Sequence, residues 1–285
     1  MTRRLEGLAS LAPRYEVLFC DVWGVIHNGR EAFAEPCAAL ARWRSERGPV
    51  ILISNSPRPA ADVVGQLEAL GVPRKSWSEL VTSGDATRSL LAESAPCAVW
   101  RIGPDRDRSL YEGLDLVFTS LDDAQIIACT GPNDDETETP EDYRAVLTIG
   151  AARGLPMICA NPDRVVQRGD RLIYCGGALA DLYIELGGRV LMAGKPFAPI
   201  YDLCFERARG ILGRNVPDGA VLAIGDGAAT DLLGAQSRGL DALFIASGIH
   251  AHATQGADGR PDPVQVDRFL ASRGTSAAFV MGQLS

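Results

Sequence analysis

Positive charge is scarce in this sequence. Its 285 residues contain 28 Lys and Arg against 36 Asp and Glu, which gives a formal net charge of −8. Proteins that bind nucleic acid or an anionic membrane need a basic surface that neutralises phosphate groups. We therefore expect neither nucleic acid nor a membrane among the partners of this protein.

Long apolar runs are also missing. The longest, such as residues 50–53 and 221–224, are far shorter than the ~20 residues of a membrane-spanning helix. Near the N-terminus, Glu6, Arg14 and Glu16 interrupt the apolar stretch that a secretory signal requires. The seven cysteines are an odd number without a C-x-x-C pair, which is typical of reduced thiols. We expect a cytoplasmic protein.

Lysine is nearly absent, because only Lys75 and Lys195 among the 28 basic residues are lysines. A lysine kept in so arginine-rich a composition is a candidate for chemistry that needs an ammonium group. The composition is otherwise that of an ordinary globular protein, with 46% hydrophobic and 22% charged residues. Because single cores stop growing at roughly 250–300 residues, the length favours two domains.

Short apolar runs alternate with amphipathic stretches, which is typical of a parallel sheet with crossover helices. Residues 1–83 and 187–285 together predict a doubly wound, Rossmann-like α/β core. Its predicted strands are residues 17–20, 50–54, 221–225 and 242–246, and its predicted helices are residues 36–46, 58–70, 199–212 and 230–238. Residues 84–186 predict an inserted α/β domain. Its predicted strands are residues 97–101, 125–129, 156–160 and 172–175, with a helix at 140–153.

Polar side chains stand where three predicted core strands end. Asp21, Ser54 and Asp226 occupy these positions, and Asp231 follows five residues after Asp226. Taken singly, each is more often a turn or helix-cap residue than a functional one. Because parallel strands end at one edge of a sheet, we expect these side chains to lie close together. A hard dication with oxygen ligands would offset the repulsion between the carboxylates, and Mg²⁺ is the natural candidate.

Two further groups complete a set suited to phosphoryl transfer. Lys195, in Ala-Gly-Lys-Pro-Phe, would place an ammonium beside the carboxylates, while Ser54 and Asn55 would donate hydrogen bonds to an anion. A carboxylate nucleophile, a metal, a lysine and a hydroxyl donor are the parts that this reaction uses.

Four segments in chain order resemble motifs I to IV of the haloacid dehalogenase-like hydrolase superfamily: LFCDVWGVIHNG, ILISNS, AGKP and GDGAATD. The insert between the second and third segments, the Asp-x-x-Gly-Val pattern and Asn161-Pro162-Asp163 are similar to subclass IIA, the nitrophenyl, nucleotide and pyridoxal phosphate phosphatases. The resemblance covers nearly the whole chain. It implies that the insert is a cap that closes over the site and selects a small phosphorylated metabolite. Members often dimerise through the cap, so the resemblance also implies a homodimer.

The resemblance implies roles for individual residues. Asp21 would be the nucleophile that becomes an aspartyl phosphate, Ser54 would bind the transferring phosphoryl group, and Lys195 would neutralise both. Asp163 is a candidate substrate contact, although an Asn-Pro-Asp turn explains it equally well. The other candidate substrate-binding residues are Trp23, Asn55 and Arg58.

The implied Mg²⁺ ligands are the side chains of Asp21 and Asp226 and the backbone carbonyl of Trp23. Asp231 would lie behind them and hold either a metal-bound water or Lys195.

Trp23 departs from the pattern. Phosphatases of the family carry at this position a second aspartate, which acts as general acid and then as general base. General acid–base catalysis contributes about 10²–10⁴ in rate, or roughly 3–5 kcal/mol. The loss fits a phosphatase that favours good leaving groups, or one in which His27 serves as a surrogate acid. It also fits a non-catalytic protein that binds a phosphometabolite and stacks Trp23 on a ring.

A dehalogenase of this superfamily also lacks the second aspartate. It has no use for Mg²⁺, however, so the pair Asp226 and Asp231 argues against this alternative. The function that the sequence predicts is a Mg²⁺-dependent phosphatase acting through Asp21.

Overall fold

The computed structural model describes residues 1–11, 14–168, 171–247, 251–256 and 258–285. Its strands, in chain order, are β1 (Arg3–Arg4), β2 (Val17–Asp21), β3 (Val50–Ser54), β4 (Glu79–Thr82), β5 (Cys97–Ile102), β6 (Leu116–Phe118), β7 (Ile126–Cys129), β8 (Pro156–Cys159), β9 (Val165–Arg168), β10 (Arg171–Tyr174), β11 (Arg189–Met192), β12 (Val221–Gly225), β13 (Asp241–Ile245) and β14 (Phe279–Met281). Its α-helices are α1 (Ala34–Glu46), α2 (Ala60–Ala69), α3 (Ser83–Ser94), α4 (Arg144–Ala152), α5 (Gly176–Glu185), α6 (Ala198–Leu212), α7 (Leu233–Ser237), α8 (Ala251–Thr254) and α9 (Pro263–Ala271).

The chain divides into two compact units. The first contains Met1–Ser54, Ala61–Val81 and Lys195–Ser285, and the second contains Asn55–Ala60 and Thr82–Gly194. The boundary that the sequence predicts after residue 186 therefore comes too early. The physical reason is that β11 pairs in parallel with β8, which makes it part of the sheet of the second unit.

The sheet of the first unit has the strand order β1-β14-β13-β12-β2-β3-β4. The pairs from β1 to β3 are parallel, which confirms the predicted parallel α/β core. After β2 the chain builds β3 and β4 on one side, and the later strands β12, β13 and β14 lie on the other side. The strand order therefore reverses between β2 and β12, and ligands bind at this point in open α/β sheets.

The local sequence explains why these elements form. Every residue of β2 is buried, as expected for a central parallel strand that is covered on both faces. In α1, Cys37, Leu40 and Trp43 recur at helical spacing and are buried on one face. Helix α6 is capped at its C-terminus by Gly213, which adopts a left-handed conformation with φ 68°.

The second unit is built on a five-stranded parallel sheet in the order β11-β8-β7-β5-β6. Alternate residues of β7 face two separate apolar clusters. Ile127 packs in a cluster with Leu147 of α4 and Tyr183 of α5, and Ile126 packs in another with Leu91 of α3. Helices thus cover both faces of this sheet.

The predicted strand at residues 172–175 does not join that sheet. It forms as β10, which pairs antiparallel with β9 in a separate two-stranded sheet. Only Ile173 of β10 is buried, while Leu172 and Tyr174 are exposed. A strand with one buried side chain lacks the apolar surface that burial on both faces of a parallel sheet requires. Among the described residues, every helix is too short or too polar to span a lipid bilayer.

Candidate active site

Three of the predicted site residues lie at one edge of the first unit's sheet. Asp21 is the last residue of β2, Ser54 is the last residue of β3, and Asp226 directly follows β12. The pairing of β2 with its neighbours sets Asp21 opposite Ile53 and Cys20 opposite Ile224. Parallel pairing in this register therefore brings the three residues to neighbouring positions at the point where the strand order reverses.

Lys195 links two of the carboxylates. The residue is 3% exposed, and its Nζ donates hydrogen bonds to Oδ1 of Asp21 and, at 2.6 Å, to Oδ1 of Asp231. Burial opposes the charged ammonium, but the two carboxylates outweigh this effect and raise the pKa of Lys195. The lysine is therefore a fixed positive charge beside Asp21. For Asp231, the structure shows the contact with Lys195 that the sequence offered as one of two roles.

The remaining oxygen of Asp231 is held by its own loop. Its Oδ2 accepts hydrogen bonds from the backbone N–H of Gly227 at 3.1 Å and from the hydroxyl of Thr230 at 3.3 Å. A Cβ added at Gly225 or Gly227 would overlap atoms of Asp231. Glycine on both sides of Asp226 thus allows the backbone to approach Asp231 closely. Sequence reasoning missed this role, although the Gly-Asp-Gly pattern carries the signal.

Asp226 is buried, and its Oδ2 has no hydrogen-bond partner within the part of the chain that the structure describes. Burial and the charge of Asp231 raise the pKa of Asp226 to about 7. Gly24, at φ 81°, makes room for this carboxylate, since an added Cβ would overlap Oδ2 of Asp226. Burial and the charge of Asp231 also raise the pKa of Asp21 well above its usual range, and Lys195 offsets only part of this effect.

This arrangement fits a divalent cation. One carboxylate oxygen from each of Asp21, Asp226 and Asp231 lies within 4.8 Å of the others. When ionised, the three carboxylates would exceed the single charge of Lys195, and the unpartnered oxygen of Asp226 is the type of hard ligand that Mg²⁺ takes. Asp21 and Asp226 are the residues suited to hold the ion, because Asp231 already accepts hydrogen bonds at both oxygens. The Trp23 carbonyl as a third ligand stays a prediction.

Trp23 and His27 belong to the turn that follows β2. The N–H of Gly24 donates to the carbonyl of His27 at 2.8 Å. The Trp23 side chain is 43% exposed, and its Nε1 lies 3.4 Å from where a Cβ on Gly29 would stand. An aromatic surface is therefore open beside the end of β2.

His27 is buried, and its Nδ1 accepts a hydrogen bond of 2.9 Å from the N–H of Gly29. Burial lowers the pKa of His27, which favours the neutral imidazole. With Nδ1 as acceptor, the ring proton is assigned to Nε2. These contacts give His27 a part in shaping the turn, and the imidazolium that a surrogate acid would need is disfavoured.

The predicted substrate-binding residues Asn55, Arg58 and Asp163 lie in the second unit. The Asn55 amide donates to Oδ1 of Asp163 at 2.9 Å, and the Asp163 N–H donates to Oδ1 of Asn161 at 3.1 Å. Asp163 therefore sits in the Asn-Pro-Asp turn and also orients Asn55. Arg58 is half-buried, and its N–H donates to the hydroxyl of Ser56 at 3.3 Å. Contact of these three with a substrate stays a prediction.

Ser83 is a polar residue that sequence reasoning missed. It is the first residue of α3, it is fully buried, and its hydroxyl has no hydrogen-bond partner within the described ranges. A Cβ added at Gly194 would come within 2.6 Å of both this hydroxyl and Oδ1 of Asn55. Gly194, just before Lys195, therefore leaves room for two polar groups. The sequence signal was the helix start at Thr82, which forms a capping box with Asp85.

Comparisons with known proteins agree with this geometry. The model of the haloacid dehalogenase-like hydrolase family matches residues 18–117, and a HAD-hydrolase-like model matches residues 192–271. The crystal structure of a hydrolase of the haloacid dehalogenase-like family from Brucella suis is 44% identical, covers 100% of both chains and superposes with a TM-score of 0.84.

Two other proteins are more distant. The 5′-nucleotidase YutF of Bacillus subtilis is 24% identical over 237 residues, which are 82% of this chain and 88% of that protein. The p-nitrophenyl phosphatase of Archaeoglobus fulgidus is 19% identical, covers 95% of this chain and 97% of that one, and has a TM-score of 0.72. This last likeness shows a shared fold.

Proposed function

Because the chain belongs to the haloacid dehalogenase-like hydrolase family, we propose that it is a Mg²⁺-dependent phosphatase of small phosphorylated metabolites. The observation that carries the proposal is the buried group of Asp21, Asp226, Asp231 and Lys195 at the strand ends. The nucleotidase and the nitrophenyl phosphatase among the similar proteins support a phosphate ester as substrate.

In this proposal Asp21 attacks the phosphorus atom and becomes an aspartyl phosphate. Lys195 favours the ionised form of Asp21 and compensates charge on the incoming phosphate, while the Ser54 hydroxyl donates a hydrogen bond to a phosphoryl oxygen. Bound Mg²⁺ supplies the positive charge that stabilises the transferring phosphoryl group. Asp231 acts through Lys195, because it holds the ammonium in place.

Trp23 restricts the leaving group. An indole has no proton to give to a departing oxygen at neutral pH, so the leaving group must depart as a stable anion. We therefore propose aryl, acyl or enol phosphates as the favoured substrates. The exposed face of Trp23 supports a planar leaving group, since aromatic rings stack favourably.

The second candidate is a phosphometabolite-binding protein without catalysis, and it is favoured by the same absence of a carboxylate at Trp23. A dehalogenase is disfavoured, because the unpartnered buried oxygen of Asp226 has a use at a cation site and none in a metal-free reaction.

The test is steady-state hydrolysis of p-nitrophenyl phosphate with and without Mg²⁺. Turnover that needs Mg²⁺ and disappears in Asp21→Asn supports the phosphatase, and a higher rate in Trp23→Asp supports the assigned role of position 23. Phosphate binding by calorimetry without release of nitrophenolate would instead support the non-catalytic protein.

A further inference from the structure

We propose that a groove beside α1 is a second binding site of the first unit, which takes a small polyanion with two or more phosphate or carboxylate groups. The groove has a volume of about 910 Å³, and every residue that lines it belongs to the first unit. Volumes of about 300–1,000 Å³ are typical of small-molecule sites. The groove is lined by none of the residues assigned to the proposed catalysis, which are Asp21, Ser54, Asp226, Asp231 and Lys195.

Small residues form the walls of the groove. One wall is the face of α1 that carries Ala34, Ala38 and Ala41, which recur at helical spacing. The other wall is the segment after α2, with Gly71 and Pro73. A Cβ added at Gly71 would meet no atom within 4 Å, so the space beside it is open. Because these side chains are short, a ligand can approach the helix closely.

The charge of the groove is of one sign. Among the described residues, three basic side chains and no acidic one line it, and these are Arg42, Arg44 and Lys75. The net charge of −8 makes such a cluster unexpected from composition alone. Like charges around one cavity repel each other, and an anion bound between them removes this repulsion. The groove therefore complements a polyanion.

The chain itself holds Arg44 in position. Its Nε donates to the hydroxyl of Ser78 at 3.2 Å, and its Nη1 donates to the carbonyl of Lys75 at 3.3 Å. These two bonds leave most of its N–H donors without a partner among the described residues. They also fix the backbone from which the Lys75 side chain extends. Because these groups are ordered before a ligand arrives, binding loses less conformational entropy.

The other two cations are available to a ligand. Arg42 and Lys75 are exposed, and within the described ranges neither side chain has a hydrogen-bond or ion-pair partner. Arg144, by contrast, is paired with Glu141 and Glu185. Charge-assisted hydrogen bonds from such cations to phosphate or carboxylate are about twice as strong as neutral ones. Lys75 is also the lysine that the proposed catalysis does not use.

The size of the groove favours a small molecule over a protein segment. It is lined by 11 residues. A stable protein–protein interface has about 20–30 residues on each side, so the groove is too small to hold a partner protein alone.

The scarcity of lysine makes the site directly measurable. Lys75 is exposed, whereas Lys195 is buried and held by two carboxylates. An acetylating reagent should therefore modify Lys75 and the exposed amino group of Met1, and mass spectrometry follows each product. The experiment measures both acetylation rates without divalent cations, at increasing concentrations of tripolyphosphate or citrate. We expect saturable protection of Lys75 and an unchanged rate at Met1. The probe that protects at the lower concentration identifies the preferred anionic group.

A variant at Arg42 tests whether the groove holds the anion. Arg42→Gln removes a cation without breaking a side-chain contact of the described structure, so the fold should be preserved. It should raise the concentration of probe that gives half-protection by about tenfold or more, which corresponds to the loss of one hydrogen bond between charged groups. The matched control is Arg207→Gln, which removes the same charge from an exposed position of α6 and should leave this concentration unchanged.

Four outcomes would overturn the proposal. Equal slowing at Met1 and Lys75 would assign the effect to general screening of charge. Equal protection in the wild type and Arg42→Gln would place the anion outside the groove. Failure of both probes would show that the groove takes no small polyanion, and protection by a polyglutamate peptide alone would assign it to an acidic protein partner. These measurements need neither Mg²⁺ nor turnover, so their failure leaves the proposed phosphatase intact.

Discussion

Replacement of Lys195 by methionine tests whether the charges at the strand ends hold one another in place. The substitution keeps an unbranched side chain that is one atom shorter and removes the ammonium. The side chain is 4% exposed and pairs with both Asp21 and Asp231, so two buried carboxylates lose their counter-charge. Removing one partner of a buried ion pair costs about 3–5 kcal/mol. We expect a loss in this range in the free energy of unfolding near neutral pH.

The loss should depend on pH in a defined direction. Without Lys195, which lowers the pKa of Asp21, the pKa of Asp21 in the folded variant should lie further above its unfolded value. The folded variant then binds more protons than the unfolded chain between about pH 4 and pH 7, so its stability falls as pH rises through that window. The difference from wild type should be small near pH 4 and largest at neutral pH.

Urea unfolding followed by circular dichroism, in the absence of divalent cations, measures this difference. The matched control is Lys75→Met, which removes the same charge from the other lysine of the chain. Lys75 is exposed, so its loss should change stability by less than about 0.5 kcal/mol. The double variant Lys195→Met, Asp231→Asn should recover part of the stability, because it removes one of the uncompensated carboxylates. Equal effects of Lys195→Met and Lys75→Met would refute the reasoning.

Three further predictions concern the cation site. Asp226→Asn should abolish the rise in melting temperature that Mg²⁺ produces, because it removes the unpartnered carboxylate oxygen; an unchanged rise would place the ion elsewhere. Gly24→Ala should destabilise the protein by about 1–3 kcal/mol, since the new methyl group would overlap Asp226 and the backbone has a positive φ. The control is Gly71→Ala, which has the same φ of 81° but no atom within 4 Å of the new methyl group. Its loss of stability measures the cost of the positive φ without the steric overlap. The folded pKa of Asp226, about 7, exceeds its unfolded value, so metal-free stability should fall by up to about 4 kcal/mol from about pH 4 to pH 7. Stabilisation by Mg²⁺ should therefore be larger near pH 8 than near pH 5, as melting curves at both values would show; equal stabilisation at both would contradict this.

The central strands and the residues that end them could be predicted from the sequence. Strands β2, β3 and β12 are short apolar runs, and each of the three ends at or directly before a polar residue. Such runs carry their own signal, because burial on both faces demands uninterrupted apolar residues. The superfamily followed from the order of four short segments, and the match with the haloacid dehalogenase-like family confirms it.

Other features depend on contacts between distant residues and carry little local signal. The pairing of β11 with β8 decides where the second unit ends, yet β11 is only four residues long and its sequence does not show which sheet it joins. The burial of His27 and its contact with Gly29 decide its protonation, and neither follows from its position in a predicted loop. The space at Gly194 for Ser83 and Asn55 likewise appears only when three separate segments meet.

The positions at which the chain passes between the two units bear on the order of folding during synthesis. The second unit is complete once Gly194 has been made, whereas the first unit still lacks Lys195 and the central strand β12. Asp21 and its lysine partner are separated by 174 positions, so closing this contact is a late, long-range event. We expect the inserted unit to fold first as the chain leaves the ribosome, while β2 stays without its partner strand β12 until β12 has been made. Until then Asp21 lacks the lysine and the two aspartates that surround it in the folded protein, so the proposed chemistry at Asp21 can begin only after these residues have been made.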